Sequence, residues 1–290
     1  MPELPEVEGV VRALKPVVEG KTIERVALSD VVFASTNAGK QCIVKNIEPH
    51  LFEEVLAGMI IKEINRRSKY IFFTIEKDGE DFVLVNHLGM TGAWFIVQDV
   101  LEITEVKFRK HVHAILTLNT GELLVYSDIR RFGELRFVKQ IADHPPLLQM
   151  APEPFDEDAC GFFLAQCAKA KYENKPIKEV IMDGQVISGC GNIYATEALF
   201  KMNIHPGRKT NRISRARKIK LFEAIRVILQ ESIDTGGSTI SDYRNINGEA
   251  GGMQHRLEMY GKKVCPTCGN ATKSMVIGGR TSVYCSNCQK

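Results

Sequence analysis

The sequence predicts an α+β multidomain chain: an N-terminal helix with a β-sandwich, then a helical domain, then a β-hairpin bracketed by cysteines. Three observations carry this. Short strand-like runs joined by tight-turn dipeptides fill the first half. Helical periodicity takes over after a proline-rich stretch. Four of the eight cysteines fall in the last 26 residues, as two CxxC pairs.

Residues 4–15 place Leu4, Val7, Val11 and Leu14 on one helical face. Pro5 suits a first-turn position, and Pro16 follows near the end of the pattern. From Thr22 to about Lys139 the pattern is mostly strands. Residues 70–76 and 82–86 flank the Asp78-Gly79 turn, and residues 113–118 and 123–127 flank Asn119-Thr120-Gly121. Repeated antiparallel pairs with short turns predict a β-sandwich. Pro145-Pro146 and Pro152-Glu153-Pro154 mark a linker. Beyond it, residues 157–170, 175–183, 192–202 and 214–234 read as helices. Ser214 is the N-cap of the last, Ile219, Phe222, Ile225 and Leu229 share a face, and Gly236-Gly237 stops it. Residues 238–260 read as an irregular loop. The expected domains are 1–148, 149–260 and 261–290.

The 44% hydrophobic content is that of an ordinary globular protein. No apolar run approaches ~18 residues, which argues against a spanning helix. The early acids Glu3 and Glu6 do not form a secretory leader, so the expected compartment is intracellular. Net charge is only +3, but its distribution is uneven. Lys201, Arg208, Lys209, Arg212, Arg215, Arg217, Lys218 and Lys220 follow one another with no Asp or Glu between them. Such a run is either a solvated face or a phosphate-binding one. Cys42, Cys160, Cys167 and Cys190 are scattered and read as reduced thiols.

Cys265-Pro266-Thr267-Cys268 and Cys285-Ser286-Asn287-Cys288 are separated by sixteen residues. Two such pairs supply four thiolates for one closed tetrahedral Zn2+. Residues 273–277 and 280–284 read as strands around Gly278-Gly279. A hairpin this small buries too little to fold alone, so the metal holds it. With no open coordination position, the zinc is structural. Arg280 sits beside the hairpin tip, where it can reach a phosphate.

Removal of Met1 would leave Pro2 as a secondary amine. An α-amino group titrates near 7.7–8.0, so a useful fraction is neutral and nucleophilic at neutral pH. Such an amine can form an iminium with a sugar aldehyde carbon, and Glu3 beside it can shuttle protons. Two loops place a large apolar side chain beside a glycine and near a polar group: His87 to Gly92, with Met90, and Asp128 to Gly133, with Arg130 and Phe132. An apolar wedge with an arginine is suited to prying a base from a duplex. Core packing is the competing reading for Met90 and Phe132.

These segments, together with Arg66-Arg67-Ser68-Lys69-Tyr70, Lys110-His111-Val112-His113, Gly191-Asn192-Ile193-Tyr194-Ala195-Thr196-Glu197 and Gly236-Gly237-Ser238-Thr239, resemble the formamidopyrimidine-DNA glycosylase and endonuclease VIII family. The motifs run from residue 2 to residue 288. The resemblance implies a helix–two-turn–helix DNA-binding domain between sandwich and zinc finger. It implies a monomer acting on double-stranded DNA with a damaged base or abasic site. Pro2 would displace the base through a Schiff base, with Glu3 as proton donor and acceptor. Lys69 and Arg280 would bind phosphate and assist β,δ-elimination. His87, Met90, His111, Arg130, Phe132, Lys171 and Asn192 would contact DNA, and Glu6 and Glu197 would lie near the active site. The implied substrates are oxidised bases, 8-oxoguanine and formamidopyrimidines among them. The alternative is a paralogue that binds damaged or bent DNA without excising bases. Departures fall in lesion recognition: Thr91 replaces an acid or serine, Ile129 a proline, and the lesion-capping loop from Gly248 to His255 differs in aromatic content.

Overall fold

The computed structural model describes residues 2–238 and 251–290. The capping loop is therefore described only from Gly251 onward. Helix α1 (Leu4–Val18) buries Leu4, Val7, Val10, Val11, Leu14 and Val18. Pro16 does not end it. The ring sits in the last turn, where only one helical hydrogen bond is lost, and Glu19 N–H still reaches Lys15 O at 3.2 Å.

Next come β1 (Ile23–Leu28), α2 (Asp30–Asn37), β2 (Ile43–Lys45), α3 (Pro49–Leu56), β3 (Ile60–Arg67), β4 (Tyr70–Lys77), β5 (Glu80–His87) and β6 (Gly92–Val97). They are followed by α4 (Val106–Arg109), β7 (Val112–Leu118), β8 (Leu123–Asp128), β9 (Glu134–Val138) and α5 (Pro145–Leu148). The strands form a sheet ordered β1-β7-β8-β6 and a sheet ordered β2-β9-β5-β4-β3. Both predicted hairpins are present, with Lys77 opposite Glu80 and Thr117 opposite Leu123. Two things differ from the expected run of antiparallel strands. Helices α2, α3 and α4 interrupt it, and β2 pairs with β9 in parallel. That pairing joins residues some ninety positions apart, which local periodicity cannot report.

The core of this unit brings together α1 with Ile23, Phe52, Ile64, Phe73, Leu84, Trp94, Leu116 and Tyr126, all within 1% of full burial. The Trp94 indole N–H donates to Asn86 Oδ1 at 2.9 Å, and Asn86 Nδ2 donates to Glu134 O, so these two buried side chains are matched.

The remaining elements are α6 (Ala159–Cys167), α7 (Ala170–Glu173), α8 (Ile177–Ile181), α9 (Asn192–Lys201), α10 (Arg215–Asp234), β10 (Lys273–Ile277) and β11 (Arg280–Tyr284). The Ser214 hydroxyl caps α10 by accepting from Arg217 N–H. Strands β10 and β11 pair antiparallel, with Ile277 opposite Arg280 across the two glycines. The chain divides into two compact units. One holds residues up to Leu148 with 236–238 and 251–252. The other holds Gln149–Thr235 and Met253–Lys290. Burial pushes the Cys167 thiol up to about 12, which leaves it neutral and unreactive.

Candidate functional site

In the first unit the residues at the start of α1 are built into the fold. Pro2 is buried, and Glu3 is 2% exposed. The Glu6 carboxylate organises this corner. Oε2 accepts the Glu3 N–H at 2.8 Å, and Oε1 accepts the Ser238 N–H at 2.7 Å. Both oxygens of a buried charge are thereby satisfied. Gly237 is required beside it, because its φ is +83° and an added Cβ would meet Glu6 Cγ at 3.1 Å. Two residues further along α1, Glu8 accepts from Arg66 Nε at 2.8 Å. Burial alone would raise this carboxyl, but the Arg66 and Arg12 hydrogen bonds outweigh it and hold Glu8 below the usual carboxylate range. Arg66 also donates to Ser68 O at 3.1 Å, so α1 is joined to the β3–β4 turn that carries Lys69.

The two wedge loops form one piece. Gly89, with φ +62°, approaches Gly133 so closely that a Cβ would lie 2.4 Å from Gly133 N. A Cβ on Gly133 would in turn meet Tyr126 Oη at 2.0 Å. The fully buried Asp128 carboxylate accepts the Thr91 hydroxyl at 2.5 Å and the Arg130 and Gly133 N–H groups at 3.2 and 2.7 Å. Thr91 Oγ1 also accepts from Arg130 N–H at 2.8 Å. Thr91, a departure from the family pattern by sequence, is thus part of a clamp that the motifs alone do not reveal. The signal available was an acid immediately before a loop of polar and glycine residues.

The clamp presents Phe132 outward, 60% exposed, with the Arg130 guanidinium 4.8 Å from its ring centre. Core packing is thus excluded for Phe132, while Met90 is half-buried. His87 lies against Tyr70 with ring centres 4.7 Å apart and the planes tilted by 52°, and its Nδ1 accepts from Gly89 N–H at 3.1 Å. Burial pushes His87 down to about 4. Lys69 and His144 add to this, against Glu134 and Asp128. The neutral ring therefore keeps its proton on Nε2. His111 Nδ1 lies 2.6 Å from Lys107 O, which fixes that ring as a donor to backbone.

In the second unit, Asn192 opens α9, and its Nδ2 donates to Thr281 O on β11 at 3.2 Å. Lys171 is exposed, bonded to Gln185 at 3.0 Å and resting on the Tyr172 ring. Glu197 is buried and accepts from three successive backbone N–H groups, Glu258, Met259 and Tyr260, at 2.7, 3.0 and 2.6 Å. That carboxylate ties α9 to the segment leading into the cysteine hairpin. Cys265, Cys268, Cys285 and Cys288 bring their sulfurs within 4.8 Å of one another, a spacing that fits one tetrahedral metal ion. Arg280 follows Gly278 and Gly279, whose φ values are +55° and +71°.

A buried N-terminal corner, paired wedge loops and a four-thiolate zinc finger define the class: a zinc-bearing DNA glycosylase. Comparison with known proteins gives the family. The formamidopyrimidine-DNA glycosylase N-terminal domain matches residues 1–135, its helix–two-turn–helix domain matches 150–244, and a zinc finger found in these enzymes and in isoleucyl-tRNA synthetases matches 262–290. Formamidopyrimidine-DNA glycosylases of Bacillus subtilis and Bacillus licheniformis are 37% and 36% identical over all of this chain and 99% and 100% of theirs. The MutM (Fpg) protein of Thermus thermophilus superposes with a TM-score of 0.81 at 35% identity, covering 99% of this chain and 98% of its own. A mutant Lactococcus lactis Fpg in complex with Fapy-dG-containing DNA gives 0.84 at 30%, with full coverage of both. The chain belongs to the formamidopyrimidine-DNA glycosylase family. Among the described residues, no helix is long and apolar enough to cross a membrane.

Proposed function

We propose that the chain is a bifunctional DNA glycosylase and abasic-site lyase that works through Pro2. One observation carries the reading: Pro2 and Glu3 are buried, and the Glu6 carboxylate holds the Glu3 N–H. A nucleophile held in place loses less orientational freedom on the way to reaction than one on a frayed end.

Once Met1 is removed, the Pro2 nitrogen lone pair attacks C1′ of an everted nucleotide. The glycosidic bond breaks and the base leaves with a proton. Pro2 gives up its N–H proton, the C1′–O4′ bond opens as O4′ takes a proton, and the ring-opened sugar is held as an iminium on Pro2 until water hydrolyses it after the eliminations. Glu3 donates and accepts the protons, and its burial keeps bulk water from competing. Loss of a C2′ proton expels the 3′ phosphate, and a second elimination expels the 5′ phosphate. Lys69 and Arg280 offset the departing charge. Met90, Arg130 and Phe132 fill the space left by the everted base, while His87, His111, Lys171 and Asn192 hold the backbone. Bound zinc supplies no chemistry to these steps. It would be held by Cys265, Cys268, Cys285 and Cys288 and fixes the hairpin that bears Arg280.

The substrates we assign are oxidised bases, formamidopyrimidines and 8-oxoguanine first. Complexes of the Lactococcus lactis relative contain Fapy-dG, abasic or oxidized pyrimidine DNA. The enzyme acts as a monomer, inside the cell with the DNA. Borohydride trapping tests the mechanism. Wild type gives a covalent adduct on abasic and lesion duplexes, and Pro2→Gly gives none. A protein shown by intact mass to lack Met1 that still fails to trap would instead be a binding paralogue.

A further inference from the structure

The basic run around the turn between α9 and α10 is not consumed by the site above. Two of its cations have internal work. Arg217 Nη2 donates to Met202 O and Asn203 O at 3.0 and 3.4 Å, closing the C-terminus of α9, and Arg208 Nε donates to Arg212 O at 3.2 Å. The others do not. Lys209, Arg212, Arg215 and Lys220 are exposed, and none of the four forms an ion pair among the described residues.

Some exposed cations elsewhere are paired with acids, and others such as Arg25, Lys40 and Lys273 are not, among the described residues. Lys62 pairs with Asp81 at 2.8 Å, Lys175 with Glu179 at 2.7 Å, Arg226 with Glu223 at 2.6 Å and Lys139 with Glu80 at 2.5 Å. The unpaired group also runs against helix electrostatics. It crowds the N-terminal end of the 20-residue α10, whose first turn holds no acid. That is the positive end of the helix dipole, where cations are disfavoured. Folding alone does not select this arrangement, whereas an approaching anion would profit from it.

The group stands apart from Asn192 along the chain and along α9. Asn192 stands at the N-terminus of α9 and the basic turn lies beyond its C-terminus. Ten residues of helix separate the two by about 15 Å. Lys209 and Arg212 flank and end a single 3-10 turn, and Arg215 and Lys220 lie in the first two turns of α10, so the charge is spread over more than one position rather than gathered at a single point.

We propose that Lys209, Arg212, Arg215 and Lys220 form a second duplex-binding surface. It engages backbone phosphates of DNA away from the damaged nucleotide, either flanking sequence or a second segment. It supplies sequence-independent affinity during search, and it rests on the reading of the chain as a duplex-binding glycosylase.

The test uses the full-length zinc-loaded protein and the variant Lys209→Gln/Arg212→Gln/Arg215→Gln/Lys220→Gln. Affinity for undamaged duplexes of twelve and forty base pairs is measured across a salt series. Wild type gains more from the longer duplex than the number of registers accounts for, and the variant loses that excess. Its log–log salt slope on the long duplex becomes shallower by about 2 to 4, near 0.9 for each phosphate that is no longer neutralised. Single-turnover excision from a twelve-base-pair lesion duplex changes less than about twofold. Unchanged affinity and slope on the long duplex overturn the proposal and leave an acidic protein as the occupant. Equal losses on both duplexes also overturn it, because the residues would then belong to the lesion cleft or the fold. Lys209→Gln/Lys220→Gln, which leaves the first turn of α10 intact, must show a smaller loss of the same kind. Borohydride trapping by wild type is scored separately, so failure of the Pro2 mechanism is not confused with failure of this surface.

Discussion

Two tight turns each carry one cation assigned to the eliminations, and they are built in opposite ways. Ser68-Lys69 joins β3 to β4 with Ser68 at φ +57°, a conformation that costs an L-residue about 1–2 kcal/mol. Gly278-Gly279 precedes Arg280 with two positive φ values and no side chain to strain. The first turn ends a pair of eight-residue strands rooted in the sandwich core, with Ile64, Ile71 and Phe73 buried and Arg66 bonded to Ser68 O. The second ends a pair of five-residue strands beside a small cluster of Phe200, Met259 and the cysteines. Strain persists where surrounding packing over-determines the backbone. Where a metal substitutes for a core, the turn must be free of it.

Zinc removal breaks the comparison most strongly. Chelation should abolish strand cleavage and melt the β10–β11 pair, while the sandwich keeps its sheet. The check is circular dichroism and cleavage before and after chelation, with zinc restoring both; persistence of cleavage without metal would contradict the finger's role. Next is Glu197→Ala, which strands three backbone N–H groups, that of Met259 buried and those of Glu258 and Tyr260 part-buried, at the base of the finger. It should cost about 3–5 kcal/mol in denaturant unfolding, and Glu197→Gln less.

On the sandwich side, His87 gives a pH signature of at most about 3 kcal/mol. Its folded value is depressed, so between about pH 6.5 and 4 the unfolded chain holds a proton that the native ring does not. Stability therefore falls as pH drops through that window. His113 and His144, lowered by burial as well, act in the same sense. His87→Gln should flatten the profile without levelling it, and an unchanged slope would remove His87 from the account. Thr91→Val removes one hydroxyl from the Asp128 clamp. It should cost about 1–2 kcal/mol and lower lesion excision, with Thr91→Ser restoring most of both. The smallest effect is expected from Glu8→Gln, about 1 kcal/mol, because the strained turn keeps its other supports. That loss vanishes as pH falls through the carboxylate range, since the Glu8 contribution requires its charge.

How much of this was legible in the residues depended on distance along the chain. The hairpins at Asp78-Gly79 and Gly278-Gly279, the Ser214 cap and the cysteine pairs are local patterns, and each is present as expected. The parallel β2–β9 pair, the Glu6 bond to Ser238 and the Glu197 anchor join positions about 60 to 230 apart, beyond any local period. Pro16 misled because its effect depends on which turn it occupies. Phe132 could not be separated from core packing until its exposure was known. Family motifs indicated Lys69 and Arg280, but only the folded structure showed the backbone geometry that supports each.

The close approach of Gly89 to Gly133 has a bearing on re-engineering lesion preference. Neither position has room for a single added carbon, so the spacing of the two loops is not a variable that selection can adjust in small steps. Met90, Arg130 and Phe132 remain open to change, because their side chains lie outside that approach. A library aimed at new damaged bases should therefore vary the three tips and hold the two glycines constant. The fold offers freedom in what the wedge is made of and almost none in where it stands.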